Sequence, residues 1–440
     1  MIPKRPINAD VPAEEAKAGK PAPKAPSAPA PTDNPVESND GGTPKLLIAL
    51  VALEVVFIVV AVVWGTSGED SGTSETPAPA PAAAERTGQA AAEQTAEALG
   101  YPGFATNNTT RIGGSDPAAN AAGAALAVFP STTPEQRPAA VSIVSEEDWA
   151  GVIAAGVLMA DPVRAPILFS GPDEMPEVSE EALAALDPQG SEETGQAALF
   201  AIGAVTYPGK AAPVASGDPA STAAQVATLR DRLAGEPPNH IVVASDSRPD
   251  FAVPAAAWAA RSGDPVLFSG AKKLPAPTAA ILKAHPRVPV YVLGPSSVIS
   301  SEVVREIAKV SKRVKRVSGE DPVANALALA RYRDGSFGWN VNDPGHGFVL
   351  ARSDAPADAA AAVPLSASGT WGPLLLTDDA AELPEDVRSY LLDVKPGYTN
   401  DPTRAFYNHV WVIGDQDAIE VEQQAEVNEL AELEKIGGER

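Results

Sequence analysis

The sequence predicts three tandem α/β domains, each built on a parallel β-sheet, in the part of the chain that follows residue 98. From about Tyr101, short apolar runs of Val, Ile and Leu alternate with Ala-rich helical stretches, which is typical of βα units. A motif of Gly, Asp and Pro also recurs three times, with its aspartates Asp116, Asp218 and Asp321 spaced 102 and 103 residues apart. Units of about 100 residues are long enough to be small domains.

The composition excludes several classes of function. The 440 residues contain 57 Asp and Glu but only 33 Lys and Arg, which gives a formal net charge of −24. Nucleic-acid binding requires a basic surface, so we expect no nucleic-acid partner. Because the chain has no cysteine, disulfides, thiol catalysis and iron–sulfur clusters are excluded. Aromatic residues make up 5% of the chain, so the domain cores must consist of Ala, Val, Leu and Ile.

The first 98 residues are predicted to contain a tail, a membrane span and a linker. Residues 1–45 are rich in Pro, Ala, Lys and Glu, which predicts a disordered tail. Residues 46–64 are apolar, and a helix of that length would be about 28 Å long, close to the thickness of a bilayer core. Residues 65–98 are rich in Gly, Ser, Pro and Ala, which predicts a flexible linker.

The charges next to the span predict its orientation. Basic residues precede it and none occurs between Gly65 and Glu85, so the positive-inside rule places the N-terminus in the cytoplasm and the repeats outside the cell membrane. Glu54 lies near the middle of this single span, where a carboxylate costs about 3 kcal/mol. Two interpretations stay open: Glu54 contacts a membrane-protein partner, or it is a protonated carboxyl that the span tolerates.

Four landmarks recur in the same order and define three repeats, residues 99–213, 214–314 and 315–422, followed by an acidic C-terminal tail at 423–440. Each repeat is predicted to run loop, helix, strand, helix, strand, helix, strand, helix. Each motif Asp precedes a Pro and an Ala-rich stretch, which predicts a helix N-cap followed by Pro at the first helical position. A second Asp in each repeat is predicted to cap the next helix. The structural motif residues are Gly114, Asp116, Gly217, Asp218, Gly319 and Asp321, with Asp148, Asp250 and Asp358 as the second set.

An Arg-led motif opens two of the repeats, and a Pro-led strand occurs in all three. The first motif is Arg111-Ile-Gly-Gly-Ser-Asp116 and the second is Arg316-Val-Ser-Gly-Glu-Asp321, whereas the middle repeat lacks the Arg. In these motifs, residues 110–422 resemble the cell-wall-binding type 2 repeat family. The resemblance implies three tandem Rossmann-like domains with parallel sheets in a pseudo-threefold arrangement.

The resemblance also implies a non-catalytic surface protein of Gram-positive-type bacteria that holds anionic wall polymers non-covalently. The Pro-led strands are the part of the family associated with attachment. A basic cluster where the second repeat meets the third adds local attraction, and it consists of Arg305, Lys309, Lys312, Arg313, Lys315 and Arg316. The same cluster also fits a solvated helix end. The candidate polymer-binding residues are Arg111, Pro166, Ile167, Leu168, Pro265, Val266, Leu267, Lys312, Arg313, Lys315, Arg316, Pro373, Leu374 and Leu375.

The chain departs from the family in one respect that leaves a second function open. The family usually follows its first motif with Arg-Tyr, and the corresponding pairs here are Pro117-Ala118, Pro219-Ala220 and Pro322-Val323. Three cations are therefore absent, and the repeats themselves are acidic. The alternative function is an extracytoplasmic interaction or scaffold protein that keeps the fold without polymer binding.

No sequence pattern points to catalysis. The four histidines lack the spacing of a metal site, and no Gly-x-Ser-x-Gly or phosphate-binding Gly-rich loop is present. We therefore expect no enzymatic activity, no metal and no cofactor. The expected partner is a cell-wall polymer or glycan.

Overall fold

The structure, a computed structural model, describes residues 106–114, 116–214 and 217–437. The predicted tail, membrane span, linker and Glu54 lie outside these residues. Within the described ranges, no helix combines the length and apolar character needed to cross a bilayer.

The described part of the chain alternates strands and helices. The strands are β1 (Thr109–Ile112), β2 (Val141–Val144), β3 (Ile167–Phe169), β4 (Leu199–Ile202), β5 (Ala212–Val214), β6 (Ile241–Ser245), β7 (Val266–Ser269), β8 (Val290–Leu293), β9 (Val314–Val317), β10 (Gly347–Arg352), β11 (Leu374–Thr377), β12 (Gly397–Tyr398), β13 (His409–Ile413) and β14 (Glu434–Lys435). The helices are α1 (Pro117–Val128), α2 (Trp149–Ala155), α3 (Glu177–Leu186), α4 (Pro219–Ala234), α5 (Pro249–Ala252), α6 (Pro254–Ser262), α7 (Ala276–Ala284), α8 (Ser301–Ile307), α9 (Pro322–Arg331), α10 (Pro356–Ala361), α11 (Val363–Ala367), α12 (Glu385–Asp393) and α13 (Val421–Ala431). Short 3₁₀ helices lie at Pro134–Gln136, Gly156–Met159 and Pro402–Arg404.

Three four-stranded parallel sheets carry the fold, as the alternating pattern predicts. Their strand orders are β3-β2-β4-β5, β7-β6-β8-β9 and β11-β10-β13-β1. The fourth strand of the first two sheets is the one that leads into the next Gly-Asp motif. In the third sheet β1, from the start of the described chain, takes that place and pairs with β13 in parallel. Each sheet is therefore completed by a strand that leads into a different repeat from its other three strands.

The first aspartate of each repeat motif caps a helix, as predicted. Asp116, Asp218 and Asp321 each cap a helix, and their carboxylates accept hydrogen bonds from backbone N–H groups at 2.8, 3.1 and 2.8 Å. The predicted caps are confirmed at these three positions. A proline occupies the first position of each helix, where its missing N–H costs nothing.

The second set of aspartates behaves differently. Asp148 caps α2 through a 2.9 Å hydrogen bond from Gly151 N–H. The predicted cap is wrong for Asp250 and Asp358, which lie inside the first turns of α5 and α10. These helices begin one and two residues earlier, at prolines, because a pyrrolidine ring presets the helical φ. Asp250 instead pairs with Arg248 at 2.5 Å.

The first repeat also lacks one predicted helix. Only residues 203–211 separate β4 from β5, and they form a loop rather than a helix. Pro208 and Gly209 interrupt this short segment, and Gly209 has a positive φ of 76°. In the other two repeats the corresponding connections contain α8 and α13.

The three repeats pack together through the helices that follow β2, β6 and β10. An added Cβ on Gly156 would lie 3.0 Å from the Ala256 carbonyl oxygen, so the backbones of the first and second repeats approach closely there. Trp149 packs edge-to-face on Phe268 with ring centroids 5.5 Å apart. Small residues on these helices are what permit such close contact, which explains why the core is rich in alanine.

The C-terminal segment completes the core. Val427 and Leu430 on α13 are buried, and α13 packs beside β1 and β13. Beyond α13, β14 pairs with β12, and the Ile436 side chain is exposed.

Candidate functional site

The Pro-led strands lie at the edges of the three sheets, and their side chains belong to the core. β3, β7 and β11 are each the first strand in the sheet order. All nine candidate residues of these strands are buried: Pro166, Ile167, Leu168, Pro265, Val266, Leu267, Pro373, Leu374 and Leu375. Their polymer-binding role stays a prediction. What the structure shows is that these side chains stabilise each sheet from within.

Arg111 lies in β1 and is a buried connector between the first and third repeats. Its side chain is 3% exposed. The guanidinium donates to the carbonyl oxygens of Gly414, Asp415 and Ile419 at 2.9, 2.6 and 2.6 Å, and to Gln424 Oε1 at 2.9 Å. Burial lowers the pKa of Arg111 to about 10, partly opposed by the nearby charge of Asp415. Through these four hydrogen bonds, the guanidinium holds the turn after β13 and the start of α13.

Arg316 makes the equivalent contacts in the second sheet. Its guanidinium donates to the Gly294 carbonyl and, at 2.6 Å, to that of Ile299, both in the turn between β8 and α8. Burial lowers the pKa of Arg316 as well. By register, Arg111 pairs with Val412 and Arg316 with Val292.

The middle repeat shows what happens without this arginine. By register, the equivalent position in β5 is Pro213, which pairs with Ala201 of β4. The connection after β4 is also the one that lacks a helix. The arginine and the helix that it holds thus occur together in the second and third sheets and are both missing from the first sheet.

Two asparagines that the sequence analysis overlooked link motif loops to other repeats. Asn120 Oδ1 accepts from Gly114 N–H at 2.9 Å, and its amide donates to Asp358 at 3.2 Å. Asn325 Oδ1 accepts from Gly319 N–H at 3.3 Å, and its amide donates to the Phe251 carbonyl at 3.1 Å. The signal in the sequence is an Asn four residues after the motif Asp in the first and third repeats.

Asp358 lies in an acidic junction between the first and third repeats. Burial raises its pKa to about 6, and the nearby charges of Glu146, Asp116 and Asp415 act in the same direction, while the bond from Asn120 opposes them. The Oδ1 atom of Asp358 is buried without a hydrogen-bond partner among the described residues. Burial likewise raises the pKa of Glu146. This junction therefore disfavours the ionised form of both carboxyls relative to water.

The basic cluster divides into paired and unpaired residues. Lys315 pairs with Asp334 at 2.6 Å, which raises the pKa of Lys315, and Arg316 is engaged as described. Arg287, Lys309, Lys312 and Arg313 are exposed, and within the described part of the chain their side chains have no ion-pair partner. We call these four residues the basic edge.

Strand pairing brings the basic edge to one end of the second sheet. Val290 N–H donates to the Arg313 carbonyl at 2.8 Å, and Ser311 donates to the Val288 carbonyl at 3.1 Å. The segments that precede β8 and β9 therefore lie side by side. Arg287 was not singled out by the sequence analysis, because it is more than 20 residues away from the other three along the chain.

Two segments of the chain, residues 214–304 and 316–423, match the family model described as cell wall binding domain 2. The second and third repeats therefore match this family. The resemblance found in the motifs is therefore confirmed. The first repeat lies outside the matched segments, although its sheet has the same strand order as the other two.

The fold is also similar to that of two solved structures, Cwp6 and Cwp8 from Clostridium difficile. Each superposes with a TM-score of 0.55 at 18% sequence identity. The match covers 74% of this chain but 47% of Cwp6 and 52% of Cwp8, so the chain spans about half the length of either protein. At this identity the likeness concerns the fold. No curated protein matches the sequence.

Proposed function

We propose that the protein is a single-pass membrane protein whose three repeats bind an anionic polymer or glycan of the cell wall on the outer face of the membrane. The observation that carries the proposal is the match of two segments to the cell wall binding domain 2 model. The apolar run at residues 46–64 and the basic residues before it support the anchor and its orientation. The repeated strand order supports a pseudo-threefold arrangement of the repeats.

The basic edge is the surface that we propose for contact with the polymer. The chain has a net charge of −24, so attraction to a polyanion must come from a local cluster of cations. Among the candidate arginines and lysines, Arg111 and Arg316 donate their hydrogen bonds to groups inside the fold, and Lys315 forms an ion pair with Asp334. Lys312 and Arg313 are exposed, and Arg287 and Lys309 extend the same surface.

A sedimentation experiment with purified cell walls tests this proposal. The full chain, kept in detergent, is mixed with walls at low and high ionic strength, and the protein in the pellet is measured. We expect sedimentation that weakens with salt, because exposed charges are screened. Replacing Lys312 and Arg313 by Gln should weaken binding about fivefold at low salt, since each exposed pair contributes about 0.5 kcal/mol.

The matched control removes the same charge from the opposite end of the same sheet. Lys272 and Lys273 are exposed and follow the carboxyl end of β7. Replacing both by Gln should leave sedimentation at the wild-type level. If the wild-type chain stays in the supernatant at every ionic strength, wall binding is refuted. Equal losses in the two double variants would instead refute the basic edge as the contact surface.

A further inference from the structure

A cavity of roughly 450 Å³ opens at the end of the second sheet where β6 and β7 begin. Its walls include Trp258, Arg261, Ser336, Trp339 and Trp371. The rings of Trp339 and Trp371 stack with centroids 6.2 Å apart, and the Arg261 guanidinium lies over Trp371 at 4.5 Å. The three tryptophans offer faces on which a ring can pack, and Asn239, Arg261, Ser262 and Ser336 supply polar groups, so the cavity suits a small polar organic ligand that contains a ring.

A serine, a histidine and an aspartate form a chain of hydrogen bonds at this cavity. Ser336 Oγ lies 3.3 Å from His240 Nε2, and His240 Nδ1 lies 2.9 Å from Asp264 Oδ2. Ser336 is exposed and lines the cavity, whereas the side chains of His240 and Asp264 are only 8% and 1% exposed. The order of groups is that of a nucleophile, a general base and an orienting carboxylate.

The surrounding donors fix the direction of each proton. Asp264 accepts from the His240 backbone N–H at 2.8 Å and from the Trp258 indole N–H at 2.9 Å. Both groups can only donate, so the carboxylate acts as an acceptor throughout. His240 therefore carries its proton on Nδ1 and presents the Nε2 lone pair to Ser336, whose hydroxyl donates. This is the tautomer that a general base requires.

The histidine ring and the serine are both held in place by local packing. The His240 ring lies edge-on to Phe337 and Tyr291, with centroids 5.4 and 5.7 Å apart. Ser336 lies in a tight turn that is closed by two hydrogen bonds between the backbones of Asp334 and Phe337, at 2.8 and 3.1 Å. An added Cβ on Gly338 would lie 2.2 Å from a backbone oxygen, so only glycine fits next to this turn.

Two backbone donors follow the serine. The N–H groups of Gly338 and Trp339 have no hydrogen-bond partner among the described residues. Both residues line the cavity. Backbone N–H groups close to a nucleophile are the usual donors to the oxyanion that forms during acyl transfer.

We propose that Ser336, His240 and Asp264 form a hydrolytic site for short acyl esters whose alcohol half carries a ring. Ser336 Oγ attacks the ester carbonyl carbon while His240 Nε2 takes the hydroxyl proton. The bond to the alcohol oxygen then breaks, and His240 returns the proton to that oxygen. A water molecule attacks the acyl-serine with His240 again as the base, which releases the acid and restores Ser336. The ring of the alcohol packs on Trp339 and Trp371.

Labelling and hydrolysis by the full chain test this site. Diisopropyl fluorophosphate should modify Ser336, which peptide mass spectrometry identifies by the added phosphoryl group. p-Nitrophenyl acetate, whose alcohol is a small ring, should be hydrolysed. Ser336→Ala should abolish the adduct and lower the hydrolysis rate at least about 100-fold. Because Ser336 is exposed, this variant should melt at the wild-type temperature.

Two further variants separate chemistry from structure. Ser368→Ala, which removes another partly exposed hydroxyl in the same repeat, should retain both labelling and hydrolysis. Asp264→Asn should stop labelling of Ser336 while the serine is still present. The amide NH2 group would face either the His240 backbone N–H or the imidazole and indole N–H groups, and in the second arrangement it donates to Nδ1 and favours the wrong tautomer. A wild-type chain that gives no adduct at Ser336, or that hydrolyses the ester no faster than folded Ser336→Ala, overturns the proposal.

Discussion

Arg111 should be among the most important polar side chains for stability, and Arg111→Met tests this. Methionine fills the volume of the arginine stem but removes all four hydrogen bonds, three of them to carbonyls of the turn after β13 and of the segment leading to α13. Hydrogen bonds to a charged group contribute about 1.5 kcal/mol each at the lower end of their range. The four bonds together are then worth about 6 kcal/mol.

Part of that stabilisation is offset by the burial of the charge itself. The pKa of Arg111 is lowered from 12.5 to about 10, which corresponds to about 3 kcal/mol disfavouring the charged form. The net loss in Arg111→Met should therefore be about 3 kcal/mol. Arg316→Met should cost about half as much, because its guanidinium makes two such bonds and is less buried. Arg313→Met should change stability by no more than about 0.5 kcal/mol, because Arg313 is exposed.

Urea unfolding followed by tryptophan fluorescence measures this series. The midpoint should fall in the order Arg313, Arg316, Arg111, with unchanged slopes. The same variants also separate structure from binding. A folded Arg111→Met that loses wall sedimentation while keeping the stability of Arg313→Met would refute the buried-connector role and show that Arg111 binds the polymer directly.

The other predictions concern packing and pH. Gly156→Ala should cost about 1–3 kcal/mol, because its new Cβ would lie 3.0 Å from the Ala256 carbonyl oxygen, whereas Gly113→Ala, with no atom nearer than 3.7 Å, should be nearly neutral in the same urea assay. Asp358 has a folded pKa raised to about 6, so its native state binds the proton more tightly and stability falls, by at most about 3 kcal/mol, as the pH rises from 4 to 6. Asp358→Asn should therefore stabilise the protein at pH 7 more than at pH 4.5, and an equal effect at both values would contradict this sign. Burial lowers the pKa of His409 to about 4, so stability falls as the pH drops from 6.5 to 4, and unfolding midpoints of His409→Gln should lack that decline.

Local signals in the sequence predicted a large part of the fold. Caps at Asp116, Asp218 and Asp321 were predictable because a short acidic side chain before a Pro-led helix satisfies N–H groups within the next three residues. The parallel sheets followed from continuous apolar runs separated by helices, since such strands are buried on both faces. Predictions failed where a proline moved the helix start upstream of Asp250 and Asp358, and where residues 203–211 were too short and too interrupted for a helix.

The candidate site was less predictable, because exposure and long-range pairing are not local properties. The Arg-led motif read as a cation available to a polymer, yet strand register carries Arg111 against a turn that lies 303 residues away along the chain. Lys312 and Arg313 remain exposed, whereas their neighbour Lys315 meets Asp334 in a turn of the third repeat. No spacing in the sequence distinguishes these cases.

The sequence by itself determined the repeated α/β pattern, the family that two of the repeats match, and the positions of most strands and caps. Strands and caps were predictable because each depends on interactions within a few residues. The tertiary structure alone decided that β1 completes the third sheet, and that His240, Asp264 and Ser336 meet at one cavity. Those contacts join residues that lie 24 to about 300 positions apart in the sequence. The hydrophobic pattern does not specify such contacts, because many sequences with the same pattern could bury their apolar residues. Only the packing of complete sheets and helices selects which distant polar groups become partners.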